Sequence, residues 1–255
     1  MTTSRGFSTV SVSAHQPAKP SNNPEGTNFP PEDAALPPAL TCFTSLCSFK
    51  LPEPHSNGVS VHEDPVQKRF ASILDQRRPQ DWPASPIIDI DGVMEHVDPY
   101  RIGVFPVVEM KKVDMTAYNE GKPIHERVEL ILYRLLKPLP SDGTDGYDAN
   151  AHIVAHAFTV DRNGIIMLAN HMGFGWSLAK AASLSYSLVV HVNPEDAVMR
   201  EGDDQWWVQE ATFPRAGAGR GIIMSKIWSP AGVHVATEYQ DGLIRSFEAQ
   251  NKEKL

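Results

Sequence analysis

Gly175-Trp176-Ser177-Leu178-Ala179-Lys180-Ala181-Ala182-Ser183-Leu184-Ser185-Tyr186 runs directly into Ser187-Leu188-Val189-Val190-His191. The first part carries one charge, Lys180, among small side chains. A segment with so little charge reads as a helix buried on all sides, and its small residues let a sheet wrap closely around it. The apolar run 188–192 reads as a strand. Downstream, 206–213 is a further strand, and 221–228 and 233–247 form a hairpin closed by Ser229-Pro230-Ala231-Gly232. The order predicts an α+β domain over 170–248, an antiparallel sheet wrapped around one central helix.

Upstream, strands are predicted over 41–51, 102–110, 127–136 and 151–160, the last ending at the turn Asp161-Arg162-Asn163-Gly164. Val66, Phe70, Ile73 and Leu74 mark a short amphipathic helix over 65–76. Residues 1–40 hold seven of the 21 prolines and few large apolar side chains. Such a stretch buries too little surface to offset its ordering entropy and predicts a disordered leader. Residues 41–169 then read as a partial domain and linker, and 249–255 as a tail.

The chain has 255 residues, 41% hydrophobic and 21% charged, the composition of an ordinary soluble domain. A formal net charge of −8 argues against nucleic acid or an anionic membrane as the main partner. No apolar run has the length of a membrane span or the form of a signal peptide. Cys42 and Cys47, five apart on one strand, point to opposite faces and do not predict a disulfide, which suits a reducing, intracellular compartment. The end, Glu253-Lys254-Leu255, is an imperfect match to a peroxisomal address; a charged tail ending in Leu is the other reading.

Four segments occur in a fixed order: Ala182-Ser183-Leu184-Ser185-Tyr186-Ser187-Leu188-Val189-Val190-His191; Pro214-Arg215-Ala216-Gly217-Ala218-Gly219-Arg220-Gly221; the hairpin Pro230-Ala231-Gly232; and Val235-Ala236-Thr237-Glu238-Tyr239-Gln240-Asp241-Gly242-Leu243-Ile244-Arg245. Together they resemble the type II acyl-CoA thioesterases, which are double hotdogs. Cys47-Ser48-Phe49-Lys50 is similar to the last strand of that family's first hotdog, and Tyr133-Arg134-Leu135 with 152–168 to the stretch joining the two. The resemblance implies a complete C-terminal hotdog and a first hotdog lacking its front. It also implies a site in which an Asp, a Ser or Thr, and a Gln hold the attacking water. Gln240 matches the Gln. Ser185 stands where the motif has Asp. The Ser/Thr position falls on Phe213, or on Thr212 after a shift of one residue.

Thioester hydrolysis needs an activated water, a stabilised oxyanion and a slot for the pantetheine arm. A serine cannot replace an Asp as general base, and losing that base costs about 10²- to 10⁴-fold. Ser185 is either a nucleophile served by His191 or a small buried helix residue. His191 is a substrate contact or a core histidine. Gln240 holds water or makes a structural hydrogen bond. Arg215, Gly219 and Arg220 form either a backbone-accessible loop meeting CoA phosphates or a solvated glycine loop. His171, Phe174 and Trp176 line an acyl pocket or pack the core. Asp241-Gly242 marks a bulge. His152 and His156, on a predicted strand, do not have metal-site spacing, and no cofactor is expected. The function implied is hydrolysis of fatty acyl-CoA or polyketide-type acyl thioesters by a homo-oligomer. The alternatives are a catalytically degenerate acyl- or partner-binding hotdog and a tailoring enzyme of secondary metabolism on the same fold.

Overall fold

The computed structural model describes residues 2–4, 7–17, 38–51, 61–90, 92–96, 107–139, 147–202 and 205–247. The chain forms two units, Met1–Gly58 and Val59–Leu255. In the first, β1 (Thr2–Ser4), β2 (Phe7–Pro17) and β3 (Pro38–Lys50) make an antiparallel three-stranded sheet in that order. Residues 7–17 are therefore a strand where composition predicts a disordered leader. Phe7, Thr9, Val10 and Val12 supply β-favouring side chains, and β3 gives them a partner along their whole length. Residues 18–37 lie outside the described residues. β3 covers all but the last residue of the strand expected at 41–51, and Cys42 and Cys47 are free thiols.

In the second unit the elements are α1 (Val66–Arg69), α2 (Ala71–Leu74), β4 (Val108–Lys112), α3 (Thr116–Asn119), β5 (Val128–Leu135), α4 (Ala149–Asp161), α5 (Gly164–His171), β6 (Leu178–Val190), β7 (Trp207–Gly217), β8 (Arg220–Trp228) and β9 (His234–Ser246). Six strands form one antiparallel sheet in the order β4-β5-β7-β8-β9-β6. The sheet thus begins at β4, and the boundary predicted at 169/170 falls inside it. Of the strand expected over 102–110, residues 102–106 lie outside the described residues. Among the described residues, no helix is long and apolar enough to cross a membrane.

Two assignments are exchanged relative to the sequence reading. The stretch expected as the central helix is the turn Gly175–Ser177 followed by strand β6, which pairs with β9 from Leu178↔Ser246 to Val190↔Ala236. Its low charge reflects an edge strand of small residues rather than a buried helix, and tertiary pairing overrides helix propensity. The stretch expected as a strand at 151–160 is helix α4, and α4 with α5 supplies the helical layer. The buried face of α4 is His152, Ala155, His156, Thr159 and Val160, spaced as one face of a helix. Asp148 caps its start, its carboxylate accepting the Asn150 N–H at 2.9 Å.

Both faces of β5 are buried. Ile131 and Tyr133 join the core under α4 and α5, with Trp207, Phe213, Ile223 and Leu168. Leu130 and Leu132 join a second core on the opposite face, with Val66, Phe70, Trp82 and Trp228. His156 is neutral at pH 7, burial pushing it down to about 4. Its Nε2–H donates to the Ala197 carbonyl at 2.8 Å, so Nδ1 accepts from the Tyr133 hydroxyl, also at 2.8 Å. His152 Nδ1 accepts the Met199 N–H at 3.2 Å. Gly221 and Gly242 let α5 approach β8 and β9: a Cβ would collide with Leu168 at the first and with Ile165 at the second.

A candidate active site between helix α4 and strands β6 and β9

Asp161 is the last residue of α4. The chain then turns through Asn163, which adopts a left-handed conformation (φ 63°), and enters α5 at Gly164. Asn163 is held on both ends of its amide: Nδ2 donates to the Pro86 carbonyl at 2.8 Å, and Oδ1 accepts the Asp89 N–H at 3.1 Å. The helix break at Asp161 is therefore fixed from outside the helix.

Gln240 reaches this break from β9. It is 1% exposed. Its Nε2 donates to Asp161 Oδ1 at 2.5 Å and to Ser183 Oγ at 2.8 Å. A carboxylate only accepts, so the NH2 end must face Asp161. Gln240 Oε1 is buried and makes no hydrogen bond to the described residues. It sits against Gly164, where no side chain intervenes.

Ser183 joins Gln240 because β6 is bulged. Ser183 pairs with Gly242 and Ser185 with Asp241, leaving Leu184 as an extra residue. The sequence places a bulge at Asp241-Gly242, but the extra residue lies on the facing strand. Directly paired residues share a face, and the bulge turns Ser183 onto the face of Gln240. Tyr186, paired with Gln240, lies on that face too and donates to the Ala157 carbonyl of α4 at 3.0 Å.

The bulge also separates the other expected residues. Ser185, paired with Asp241, faces away from Gln240. His191 is six residues further along the strand, about 20 Å away, so it does not serve Ser185 as a base. Its Nε2 instead meets Thr237 Oγ1 at 2.8 Å, and its ring lies 4.8 Å from that of His234. Thr212 pairs with Met224 on the same far face and donates to the Met224 carbonyl at 3.2 Å. Phe213 is core, its ring 4.5 Å from His171. Arg215, Gly219 and Arg220 gather at the turn between β7 and β8, where Arg220 is ion-paired with Asp241. Trp176 precedes β6, its ring 5.0 Å from that of His96.

Of this candidate cluster, sequence reasoning names Gln240 and does not name Asp161 or Ser183. A motif match assigns one residue to each position along one segment; here the carboxylate comes from another element. The available signal was Asp161 at the head of Asp-Arg-Asn-Gly, a helix-breaking tetrapeptide that follows a run of spaced His and Ala. Electrostatically, burial raises the Asp161 carboxyl above its ordinary 3.8, while the bond from Gln240 pulls it down.

A family model described as the acyl-CoA thioesterase C-terminal domain matches residues 113–244, just over half of the chain. The chain belongs to this family. Asp161, Ser183 and Gln240 all lie within the matched residues, as do helices α3 to α5 and strands β5 to β8. The fold is that of hotdog thioesterases. Among solved structures, acyl-CoA thioesterase II TesB2 from Mycobacterium marinum is 21% identical with a TM-score of 0.54, over 96% of this chain and 70% of that one. A conserved hot dog protein of unknown function from Alicyclobacillus acidocaldarius is 14% identical with a TM-score of 0.56, over 96% and 70%. The tesB protein of Mycobacterium avium subspecies paratuberculosis is 13% identical with a TM-score of 0.51, over 96% and 68%. At these identities the likeness is one of fold. No curated protein matches the chain in sequence.

Proposed function

We propose that the chain hydrolyses acyl-CoA or a related acyl thioester, with Asp161, Ser183 and Gln240 holding the attacking water. The observation that carries this reading is the Gln240 carboxamide bridging Asp161 and Ser183. The bridge uses both amide protons, which leaves the Ser183 hydroxyl proton, the second Asp161 oxygen and Gln240 Oε1 to bind a water. Asp161 takes a proton as the water oxygen bonds to the thioester carbon. The carbonyl oxygen becomes an oxyanion beside the first turn of α5, whose N–H groups carry no side-chain cap. Collapse breaks the C–S bond, and the proton on Asp161 passes to the departing thiolate. Acid and thiol are the products. No cofactor is required.

Fatty or polyketide-type acyl chains are the substrate class we favour, with Arg215 and Arg220 as the cations for the CoA phosphates. Asp161 beside Gln240 answers one of the two grounds for a non-catalytic acyl-binding role, the missing carboxylate. We read the protein as a homo-oligomer because β6 is an edge strand with Leu184 and Val189 exposed; a monomeric mass in light scattering counts against this. Peroxisomal import rests on Glu253-Lys254-Leu255 and is tested by the location of a fluorescent fusion with and without them. The reading of activity is tested by following free thiol from a panel of acyl-CoAs of different chain lengths. Background rates throughout would end it.

A further inference from the structure

Two residues before Gln240, on the same face of β9, lies a second carboxyl group. Glu238 is fully buried. It pairs with Ser225 on β8 and Leu188 on β6. Ser225 Oγ accepts from Gln209 Nε2 at 3.0 Å, and the same nitrogen reaches the Val160 carbonyl at 3.0 Å. Gln209 and Ser225 are thus bonded across β7 and β8, and Glu238, register-paired with Ser225, extends this polar row to β9 with both carboxyl oxygens buried and making no hydrogen bond to the described residues. Its β7 end is bonded to the residue that precedes Asp161. Three fully buried polar side chains beside Trp207, Ile223 and Ile227 on one sheet face call for a reason.

We propose that Glu238 is a positioning residue for Asp161: with Ser225 and Gln209 it forms the shelf that seats the last turn of α4 against Gln240. This rests on the hydrolytic reading above. Glu238 itself stays out of contact with the reacting atoms. Its work depends on being uncharged. Burial pushes its carboxyl up to about 8, Ser225 opposing the rise and Asp161 adding to it. The groups facing it are Asp161 from α4, Tyr186 from β6 and Ser225 from β8, with Gln209 of β7 behind Ser225. The Tyr186 phenol is held far above its ordinary range, by burial first and then by Glu238 and Asp161. At neutral pH the shelf therefore holds its carboxyl as an acid. Ionisation above about 8 sets a second negative charge against Asp161 and loosens the seat.

The experiment compares the full chain with Glu238→Gln and Glu238→Leu. On an acyl-CoA that the parent turns over, Glu238→Leu lowers kcat by between about ten- and a hundred-fold with little change in KM. Glu238→Gln, which keeps the polar shape, recovers most of that loss. The parent rate falls above about pH 8, and the Gln variant lacks this fall. Two measurements need no substrate. Amide exchange at the end of α4 is faster in the Leu variant and near the parent's in the Gln variant. The parent's melting temperature declines as pH rises from the ordinary carboxylate range, 4.5, to about 8, because the unfolded chain releases this proton first; the Gln variant lacks that slope. If no thioester is hydrolysed, the proposed function fails, and the exchange and melting data still judge the shelf. The proposal is overturned if α4 exchange is the same in all three proteins, if Gln restores nothing that Leu loses, or if the Gln variant keeps the parent's pH slopes.

Discussion

Gly164→Ala is the most informative single change, because it adds one methyl group at the centre of the candidate site. A Cβ at Gly164 falls on Gln240 Oε1, well inside the 3.0 Å that real contacts do not undercut, and 3.5 Å from Gln240 Cδ. Ile223 Cδ1 lies 3.7 Å from the same Cβ. The carboxamide must therefore withdraw by about 1 Å to regain ordinary separation. A free surface side chain would move at little cost. Gln240 is buried, and its other end is bonded to Asp161 and Ser183, so the movement stretches those bonds. A misplacement of this size costs about 100-fold in rate, close to 3 kcal/mol of transition-state stabilisation. Stability responds less. Ala restricts the unfolded chain and returns about 0.4–1 kcal/mol, against about 1–3 kcal/mol for disturbed buried hydrogen bonds. The expected result is a folded protein, a few degrees less stable at most, whose kcat for thiol release is down about two orders of magnitude. A folded variant with kcat within about three-fold of the parent would refute the assignment of Gln240 to the reacting site.

Gly221→Ala is its control: the new Cβ meets Leu168 and Ile244 rather than a water-holding side chain, so denaturant melts lose about 1–3 kcal/mol while kcat below the melting range is retained. Arg69→Ala strips the bidentate partner, at 2.8 and 2.5 Å, from Glu210, whose side chain is 3% exposed and, among the described residues, keeps only the hydrogen bond from Trp228 Nε1 at 3.0 Å. That variant loses about 3 kcal/mol, and adding Glu210→Gln recovers part of it; an unchanged melt would show the pair to be idle. The pH–rate profile should have an acid limb above the ordinary Asp value, because burial raises the Asp161 carboxyl and the rate needs its anion. Gln240→Ala removes the bond that lowers it, so the residual activity of that variant shows the limb moved to higher pH; a limb at the parent's pH would detach Asp161 from Gln240 in the reaction.

Much of the sheet was legible because its strands announce themselves by alternation and turns. Strands β5, β7, β8 and β9 lie where apolar periodicity and the Ser229-Pro230-Ala231-Gly232 turn put them. The helical layer was not legible, and the reason is physical. The buried face of α4 is His152, Ala155, His156, Thr159 and Val160, while Val154 and Phe158 are exposed. Its hydrophobic pattern is thus blurred, with polar groups inside and apolar groups outside. His156 is tolerated inside only because Tyr133 and Ala197 satisfy both ring nitrogens. β6 errs in the opposite sense, since an uncharged run of Ala, Ser and Leu looks like a buried helix until β9 is known to pair with it.

The site failed to show in the sequence for a related reason, and the bulge explains it. Strand alternation alone would put Ser183 and Ser185 on one face, so nothing local tells which serine accompanies Gln240. The extra residue, Leu184, decides the matter by reversing the phase between them. Removing it should do more damage than removing either hydroxyl. Deleting Leu184 restores regular alternation and slides one half of β6 past β9 by a residue. It exposes inward-facing Tyr186 or Ser183 to the wrong face and parts Ser183 from its 2.8 Å bond to Gln240. Ser183→Ala, by contrast, takes away one acceptor and leaves Gln240 bonded to Asp161 at 2.5 Å. Thiol-release rates should therefore rank the parent above Ser183→Ala, and Ser183→Ala above the Leu184 deletion, with Ser185→Ala near the parent. A Ser185→Ala rate as low as that of Ser183→Ala would mean that the phase of β6 had been read backwards.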